Sequence, residues 1–240
     1  AQTAPWRELG PSSMKMDNWV MGRVAGRINA IATHPSNDSV VFIGAANGGV
    51  WKTLDGGIRW TPTFVNVGSQ SISAIHVEGG NPQNVWAGTG DRSNRWACSG
   101  YLSDGVFFSA DGGLNWSARN NGMRLSTVTS LVTQTGNPNV VLAAGFGDRC
   151  SEGGDADGGI YRSIDKGATW TEVMSRKVED LVAIPGTSTV YASAPGSGVY
   201  RSTDGGATWT LLGAANTSSR MRLAVAPSNA SVIYALTSST

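Results

Sequence analysis

Two stretches of the sequence, residues 88–104 and 145–157, concentrate charged and aromatic side chains of the kinds that bind carbohydrates. Both contain the tripeptide Gly-Asp-Arg, at 90–92 and 147–149. Aspartate and arginine hydrogen-bond polar ligands, and an exposed tryptophan can stack on a sugar ring or a partner's side chain. We therefore predict a recognition surface for a polysaccharide or a protein partner, lined by Asp91, Arg92, Arg95, Trp96, Tyr101, Asp148, Arg149 and Glu152. In the alternative interpretation, the two Asp-Arg pairs only brace their own loops.

The same stretches supply carboxylates that could hydrolyse a glycosidic bond. That reaction uses two carboxyl groups whose separation depends on its stereochemistry. The available side chains are Asp91, Asp104, Asp148, Glu152, Asp155 and Asp157. The sequence does not give their separations, and aspartates in loops commonly form turns. We therefore assign no catalytic residue, favour a binding or scaffold module without enzymatic activity, and keep glycoside hydrolysis as the alternative.

A motif of the form S/T-x-D-x-G-x-x-W occurs at residues 53–60, 109–116, 163–170 and 202–209. Its Asp accepts hydrogen bonds from the backbone N–H groups that follow, and its Gly supplies a positive φ. The Ser or Thr hydroxyl can bond across the turn, and the Trp enters the next strand. We predict that the motif is a folding device rather than a catalytic site. The repeated Asp and Trp positions of the motif are Asp55, Asp111, Asp165 and Asp204, with Trp60, Trp116, Trp170 and Trp209.

Short apolar strands align around each motif. Three precede it and one follows it, so each repeat contains four strands, as a β-propeller blade does. We predict an all-β propeller of antiparallel four-stranded blades that spans residues 1–240. Its parts are a lead segment with an outermost strand (1–27), four blades (28–66, 67–123, 124–176 and 177–215) and a partial fifth blade (216–240). The aromatic residues that precede each motif, Trp51, Phe107, Tyr161 and Tyr200, are predicted to lie in the core.

The partial fifth blade leaves two organisations open. In the one we favour, the chain is a piece of a larger propeller, and the remaining blades are then a partner of it. In the other, the N-terminal strand closes a small ring, because propellers protect their edge strands by closure.

The two charged stretches lie between the second and third strands of the second and third predicted blades, so we expect them to be neighbours on one face. Cys98 and Cys150 then occupy equivalent places in adjacent blades. We predict a disulfide between them, as is usual in an oxidising compartment. Two separate buried thiols are the alternative.

Composition excludes several other functions. The net charge is +1 and no long basic run occurs, which argues against nucleic-acid binding. The longest apolar runs are too short to insert into a membrane. With only two histidines and no CxxC motif, a zinc site is not expected. Asp155 and Asp157, near Glu152, offer oxygen ligands for Ca²⁺ at a spacing that matches no standard loop, so no cofactor is expected.

The N-terminal Ala-Gln-Thr-Ala-Pro favours a secreted protein, extracellular or periplasmic.

The segment 44–57, together with Gly26-Arg27-Ile28 and Pro35-Ser36-Asn37, resembles the Asp-box (BNR-repeat) β-propellers. The resemblance is closest to bacterial secreted sortilin-like and xyloglucanase-like proteins, and sialidases share the box. It implies the propeller fold, and leaves function to the loops. Xyloglucanase-like enzymes place a catalytic Asp just before the Gly-Gly of an early strand, where this sequence has Asn47. No full sialidase set of arginines with a Tyr–Glu pair is recognisable either.

Overall fold

The computed structural model describes residues 14–15, 23–24, 26–91, 103–147, 158–213, 220–226 and 229–238. Within these ranges the chain forms strands and connections, with no helix. The sheets are antiparallel, which confirms the predicted all-β propeller class.

Four sheets contain four strands each, and we call them blades 1 to 4. Blade 1 comprises β3 (Ile28–Thr33), β4 (Val41–Ala45), β5 (Val50–Thr53) and β6 (Thr61–Pro62). Blade 2 comprises β7 (Ile72–Val77), β8 (Val85–Thr89), β9 (Val106–Ser109) and β10 (Ser117–Ala118). Blade 3 comprises β11 (Thr127–Gln134), β12 (Asn137–Phe146), β13 (Gly159–Ser163) and β14 (Thr171–Met174). Blade 4 comprises β15 (Asp180–Ala183), β16 (Val190–Ala194), β17 (Gly198–Ser202) and β18 (Thr210–Gly213).

Two further sheets have two strands each. At one end β1 (Met14–Lys15) pairs with β2 (Arg23–Val24). At the other end β19 (Arg220–Ala226) pairs with β20 (Asn229–Ser238), and we call this pair the half-blade.

The hydrophobic core lies between the blades rather than within any one of them. One cluster joins Phe42 and Val50 of blade 1 to Val85 and Phe107 of blade 2. Further clusters join blade 2 to blade 3, blade 3 to blade 4, and blade 4 to the half-blade. Because a single sheet cannot bury its own faces, each blade depends on its neighbours for a core.

The interfaces of blade 1 with blade 2 and of blade 2 with blade 3 place a bulky side chain opposite a glycine. The glycine lies in the second strand of one blade, beside a residue at the start of the next blade's first strand. The pair Gly44–Ile72 shows this, because a Cβ at position 44 would collide with the Ile72 side chain. Gly88 and Val128 are arranged in the same way. The inserted residues Ile72, Val128, Val178 and Met221 are all completely buried.

Polar side chains cross the same interfaces and bond the backbone carbonyl of the inserted residue. Asn29 donates to the Ile72 carbonyl at 3.1 Å, and Thr129 donates to the Val178 carbonyl at 2.8 Å. Ser73 donates to Val128 and Ser193 to Met221 in the same way. The blades are therefore held together by a repeated bond as well as by apolar packing.

The Asp-box turns have the geometry that the motif predicts. In the box of blade 2, the Ser109 hydroxyl donates to Asp111 Oδ1 at 2.7 Å and accepts the Gly113 N–H at 2.8 Å. Asp111 Oδ1 also accepts the Asn115 N–H at 2.9 Å. Gly113 has a φ of 88°, which a side-chain-bearing residue adopts only at a cost. The other boxes repeat these bonds through Thr53, Ser163 and Ser202.

The box tryptophans also contribute to the interfaces between blades. Trp116 Nε1 donates to the Thr63 carbonyl of blade 1, and Trp170 Nε1 donates to the Arg119 carbonyl of blade 2. Trp116 is half-buried, and Trp170 is buried in the cluster between blades 2 and 3. The box thus closes its own hairpin and reaches the preceding blade.

We expect Ser109→Ala to lower the free energy of unfolding by about 1–3 kcal/mol. The substitution leaves the Gly113 N–H in a buried position without its acceptor, which costs more than the bond itself contributes. Urea unfolding followed by tryptophan fluorescence measures the change. The control is Ser36→Ala, in an exposed turn. A Ser109→Ala effect no larger than that of the control would contradict the role given to the box hydroxyl.

Candidate functional site

The connections of each blade lie on two opposite faces. On the face that we call the box face, the Asp-boxes bond the hairpin between the first and second strands of their own blade. The Gly112 N–H donating to the Gln83 carbonyl is an example. On the other face, which we call the loop face, the connection between the second and third strands meets the connection that enters the next blade. There the Gly49 N–H of blade 1 donates to the Gln70 carbonyl in the connection that enters blade 2. The Gly90 N–H donates to the Ser71 carbonyl in the connection that enters its own blade.

Both predicted recognition stretches emerge from the loop face at neighbouring points. Gly90 directly follows β8, the strand from which the first stretch emerges. It packs on the backbone of Thr127, because a Cβ at position 90 would lie 2.8 Å from Thr127 Cα. Thr127 is itself paired with Phe146, the last residue of β12. Ser126 Oγ donates to the Gly147 carbonyl at 2.7 Å, which fixes the start of the second stretch. Thr127 therefore lies between the starting points of the two stretches.

Asp91 is the one predicted ligand-binding residue that the structure describes, and its carboxylate is engaged by the fold. Arg27 Nη2 lies 2.6 Å from Asp91 Oδ2, and the Asp91 side chain is only 6% exposed. Arg27 is also oriented by Asn29, whose Oδ1 accepts its Nε–H at 3.1 Å. This ion pair joins the entry to blade 1 with the loop of blade 2. Sequence analysis missed the pairing, since 64 residues separate the partners.

Asp104, a candidate catalytic carboxylate, is engaged at the other end of the same stretch. Its Oδ2 accepts the Ser69 N–H from the connection between blades 1 and 2. The Asp104 carbonyl accepts Asn120 Nδ2–H, while Asn120 Oδ1 accepts the Val106 N–H at 2.7 Å. Asp104 thereby fixes where the chain re-enters β9. It acts as a brace between two connections.

Asn47 is exposed on the turn between β4 and β5. Behind that turn, Trp51 Nε1 donates to the Gly48 carbonyl at 2.8 Å. Trp51 is half-buried, which corrects its predicted place in the core. The equivalent Phe107 and Tyr161 are buried in the clusters shared with the preceding blade. Tyr200, which was also predicted to lie in the core, is half-buried against the cluster between blades 3 and 4.

The other predicted site residues lie outside the described ranges. These are Arg92, Arg95, Trp96, Cys98, Tyr101, Asp148, Arg149, Cys150, Glu152, Asp155 and Asp157. Their roles, including the disulfide and the calcium alternative, stay predictions. In the part of the chain that the structure covers, no group of three or more His, Cys, Asp or Glu side chains could hold a metal ion. The described segments also hold no helix long and apolar enough to cross a membrane.

The Asp-box carboxylates are stabilised in their ionised form. The Asn115 N–H and the Ser109 hydroxyl lower the pKa of Asp111 to about 2. The Thr169 side chain and backbone lower the pKa of Asp165 to about 2, and the pKa values of Asp55 and Asp204 are lowered by the same kinds of bond. A carboxylate with a lowered pKa is a poor general acid near neutral pH. The stability linked to these groups is present above the ordinary pKa of 3.8 and is lost as the pH falls towards 2.

Comparisons with known proteins agree with this architecture. A BNR/Asp-box repeat model matches residues 200–211. No curated protein matches the chain. Among solved structures, an ancestral GH74 enzyme superposes with a TM-score of 0.61 at 22% identity, over 88% of this chain and 26% of its own. The GH74 xyloglucanase from Xanthomonas campestris gives a TM-score of 0.60 at 18% identity, over 82% and 32%.

The WD40 repeats of RRP9 are also similar, with a TM-score of 0.54 at 14% identity over 76% of this chain and 50% of that one. At these identities the likeness shows a shared β-propeller fold. The chain spans about a quarter to a third of the length of the GH74 chains. It thus carries Asp-box repeats on the propeller architecture that GH74 enzymes use.

We expect Arg27 and Asp91 to be coupled by about 1 kcal/mol in a double-mutant cycle of Arg27→Ala and Asp91→Ala. Removing Arg27 leaves a largely buried carboxylate without this cation, and the double variant removes both charges together. Urea unfolding of the four proteins measures the coupling. Strictly additive effects would show that the ion pair does not hold the loop of blade 2 in place.

Proposed function

We propose that this chain is a polysaccharide-binding module without catalytic activity, and that it binds through the loop face. One observation carries the proposal: Asp91 and Asp104, the two described carboxylates at this site, are both held in place by bonds of the fold. Both carboxylates hold the ends of the stretch between them, so they do not form the pair of available carboxyl groups that hydrolysis uses.

Glycoside hydrolysis needs one carboxyl group that donates a proton and a second that acts as nucleophile or base. Asp91 is ion-paired with Arg27, and Asp104 accepts a backbone N–H, so each carboxylate is committed to holding two connections together. The turn where a catalytic aspartate would be expected by resemblance carries Asn47, whose amide neither donates a proton as an acid nor attacks as a carboxylate. Binding requires none of these groups to change protonation state.

A polysaccharide is the ligand that the comparisons favour, because a solved structure with the same fold is a xyloglucanase. The proposed contact residues are those predicted from the sequence: Asp91, Arg92, Arg95, Trp96, Tyr101, Asp148, Arg149 and Glu152. Trp96 and Tyr101 would stack on sugar rings, while the charged groups would bond their hydroxyls. A sortilin-like relationship would instead favour a protein partner.

Hydrolysis is the second candidate, and the similarity to GH74 enzymes favours it. It would depend on Asp148, Glu152, Asp155 and Asp157, since Asp91 and Asp104 are already committed. Release of reducing sugar from xyloglucan distinguishes this candidate from a binding module, because binding alone leaves the polymer intact.

We also propose that the protein is secreted and that Cys98 and Cys150 form a disulfide. The neighbouring starting points of the two stretches, on either side of Thr127, support this pairing. The expected thiol titre of the unfolded, unreduced protein is zero. Two free thiols would contradict the disulfide.

For the binding proposal, we expect Trp96→Ala to weaken affinity for xyloglucan oligosaccharides by about fivefold, since stacking on an aromatic ring contributes on the order of 1 kcal/mol. Isothermal titration calorimetry with xyloglucan oligosaccharides measures the affinity. The matched control is Leu114→Ala, which removes an exposed apolar side chain from the box face. Equal affinities of the two variants would overturn the site, and reducing sugar released by the unmodified protein would favour the hydrolase.

A further inference from the structure

The sequence contains two Asn-Gly dipeptides, and both lie in turns that the structure describes. Asn47-Gly48 connects β4 to β5 in blade 1, and Asn121-Gly122 follows β10 in blade 2. In such a dipeptide the backbone nitrogen of the glycine can attack the asparagine side chain, because no Cβ hinders its approach. The attack requires that the peptide between the two residues rotates. The two dipeptides therefore differ in reactivity where the fold restrains them differently.

The Asn47-Gly48 dipeptide is weakly restrained. Both residues are exposed on the loop face. Among the described residues, no hydrogen bond engages the Asn47 carboxamide or the Gly48 N–H. Trp51 Nε1 donates to the Gly48 carbonyl at 2.8 Å, which holds the peptide that follows Gly48. The peptide between Asn47 and Gly48, which has to rotate, is not the one that this bond holds.

The Asn121-Gly122 dipeptide is held by blade 3. The Trp170 N–H donates to the Asn121 carbonyl at 2.9 Å, so the peptide between Asn121 and Gly122 is fixed directly. Gly122 has a φ of 88°, and a Cβ at this position would collide with the Trp170 carbonyl. The Met123 N–H closes the turn on the Asn120 carbonyl at 2.9 Å. Rotation here first requires the interface between blades 2 and 3 to open locally.

We propose that Asn47 is a modification site at which the chain deamidates itself, with water as the co-reactant. The Gly48 nitrogen forms a bond to Asn47 Cγ, and the bond from Cγ to the side-chain nitrogen breaks. The Gly48 N–H proton leaves with that nitrogen as ammonia, and a succinimide ring remains. Water then cleaves either C–N bond of the ring, which yields aspartate or isoaspartate at position 47. The conversion consumes one water, releases one ammonia and needs no oxidant or reductant.

The product changes the loop face in two ways. A carboxylate replaces an amide, and in contrast to Asp91 and Asp104 it stands where no described bond of the fold engages the side chain. Isoaspartate also lengthens the main chain by one carbon, inside a turn that the Ala45 N–H closes on the Gly49 carbonyl at 3.0 Å. Because the Gly49 N–H donates to the Gln70 carbonyl at 2.8 Å, the longer turn weakens the contact between blade 1 and the connection that enters blade 2.

The test stores freshly prepared, folded protein at neutral pH and follows both dipeptides by mass spectrometry of tryptic peptides. Cleavage after Lys and Arg places them in separate peptides, 28–52 and 120–124. We expect peptide 28–52 to gain the mass of deamidation, with fragment ions that assign it to Asn47, and to become a substrate for an isoaspartyl methyltransferase. Conversion in peptide 120–124 should be at least about tenfold slower, because the interface has to open first.

Two controls separate the effect of the fold from that of the sequence. In urea both dipeptides should convert at similar rates, because unfolding removes the bond from Trp170. Asn47→Gln keeps an amide but would have to close a larger ring, so conversion at position 47 should be lost. Asn37→Gln, in an exposed turn of the same peptide, should leave it unchanged. Absence of deamidation at Asn47, equal rates in the folded protein, or the same rate difference in urea would each overturn the proposal.

Discussion

The architecture depends on one constraint: a small four-stranded sheet has two faces and no core until other sheets cover them. Between the described blades, the cover of each sheet is its neighbouring blade. Ile72 enters the space that Gly44 leaves open, and Asn29 bonds the Ile72 carbonyl at the same point. The pattern is repeated along the array, so each blade's stability depends on what lies beside it. On the side of blade 1 where the described residues include no neighbouring blade, Ile28 and Ile31 are exposed.

The two faces of the array differ in how their polar side chains are used. On the box face, hydroxyl–carboxylate–amide networks such as that of Ser109, Asp111 and Gly113 satisfy every turn locally. Those carboxylates are ionised and fully used, which leaves them little chemistry to offer. On the loop face, Asp91 and Asp104 hold the two ends of a long connection to neighbouring parts of the fold.

Most of the fold could be predicted from the sequence because its signals are local. The four boxes, with Ser or Thr two residues before Asp and Trp five residues after it, specify a turn within eight residues. What could not be predicted depends on distant partners. Phe107 is buried together with side chains of blade 1, whereas Trp51 and Tyr200 at the matching positions are only half-buried. The residues around Arg27 do not indicate its pairing with Asp91, because the two residues come together only when blades 1 and 2 pack on each other.

The repeated interface has a consequence for how such a protein changes over generations. Blade 2 contributes to the interfaces on both of its sides: Ile72 protrudes towards blade 1, and Gly88 leaves a gap for Val128 of blade 3. We call each such contact between blades a joint. A duplicated repeat would therefore fit both of its new neighbours, because its protruding residue and its gap match theirs. After deletion of a repeat, the two blades on either side of it could pack on each other in the same way. Recombination within a gene could alter the number of blades without redesigning any joint. The loop residues outside the joints could then diverge independently in each copy.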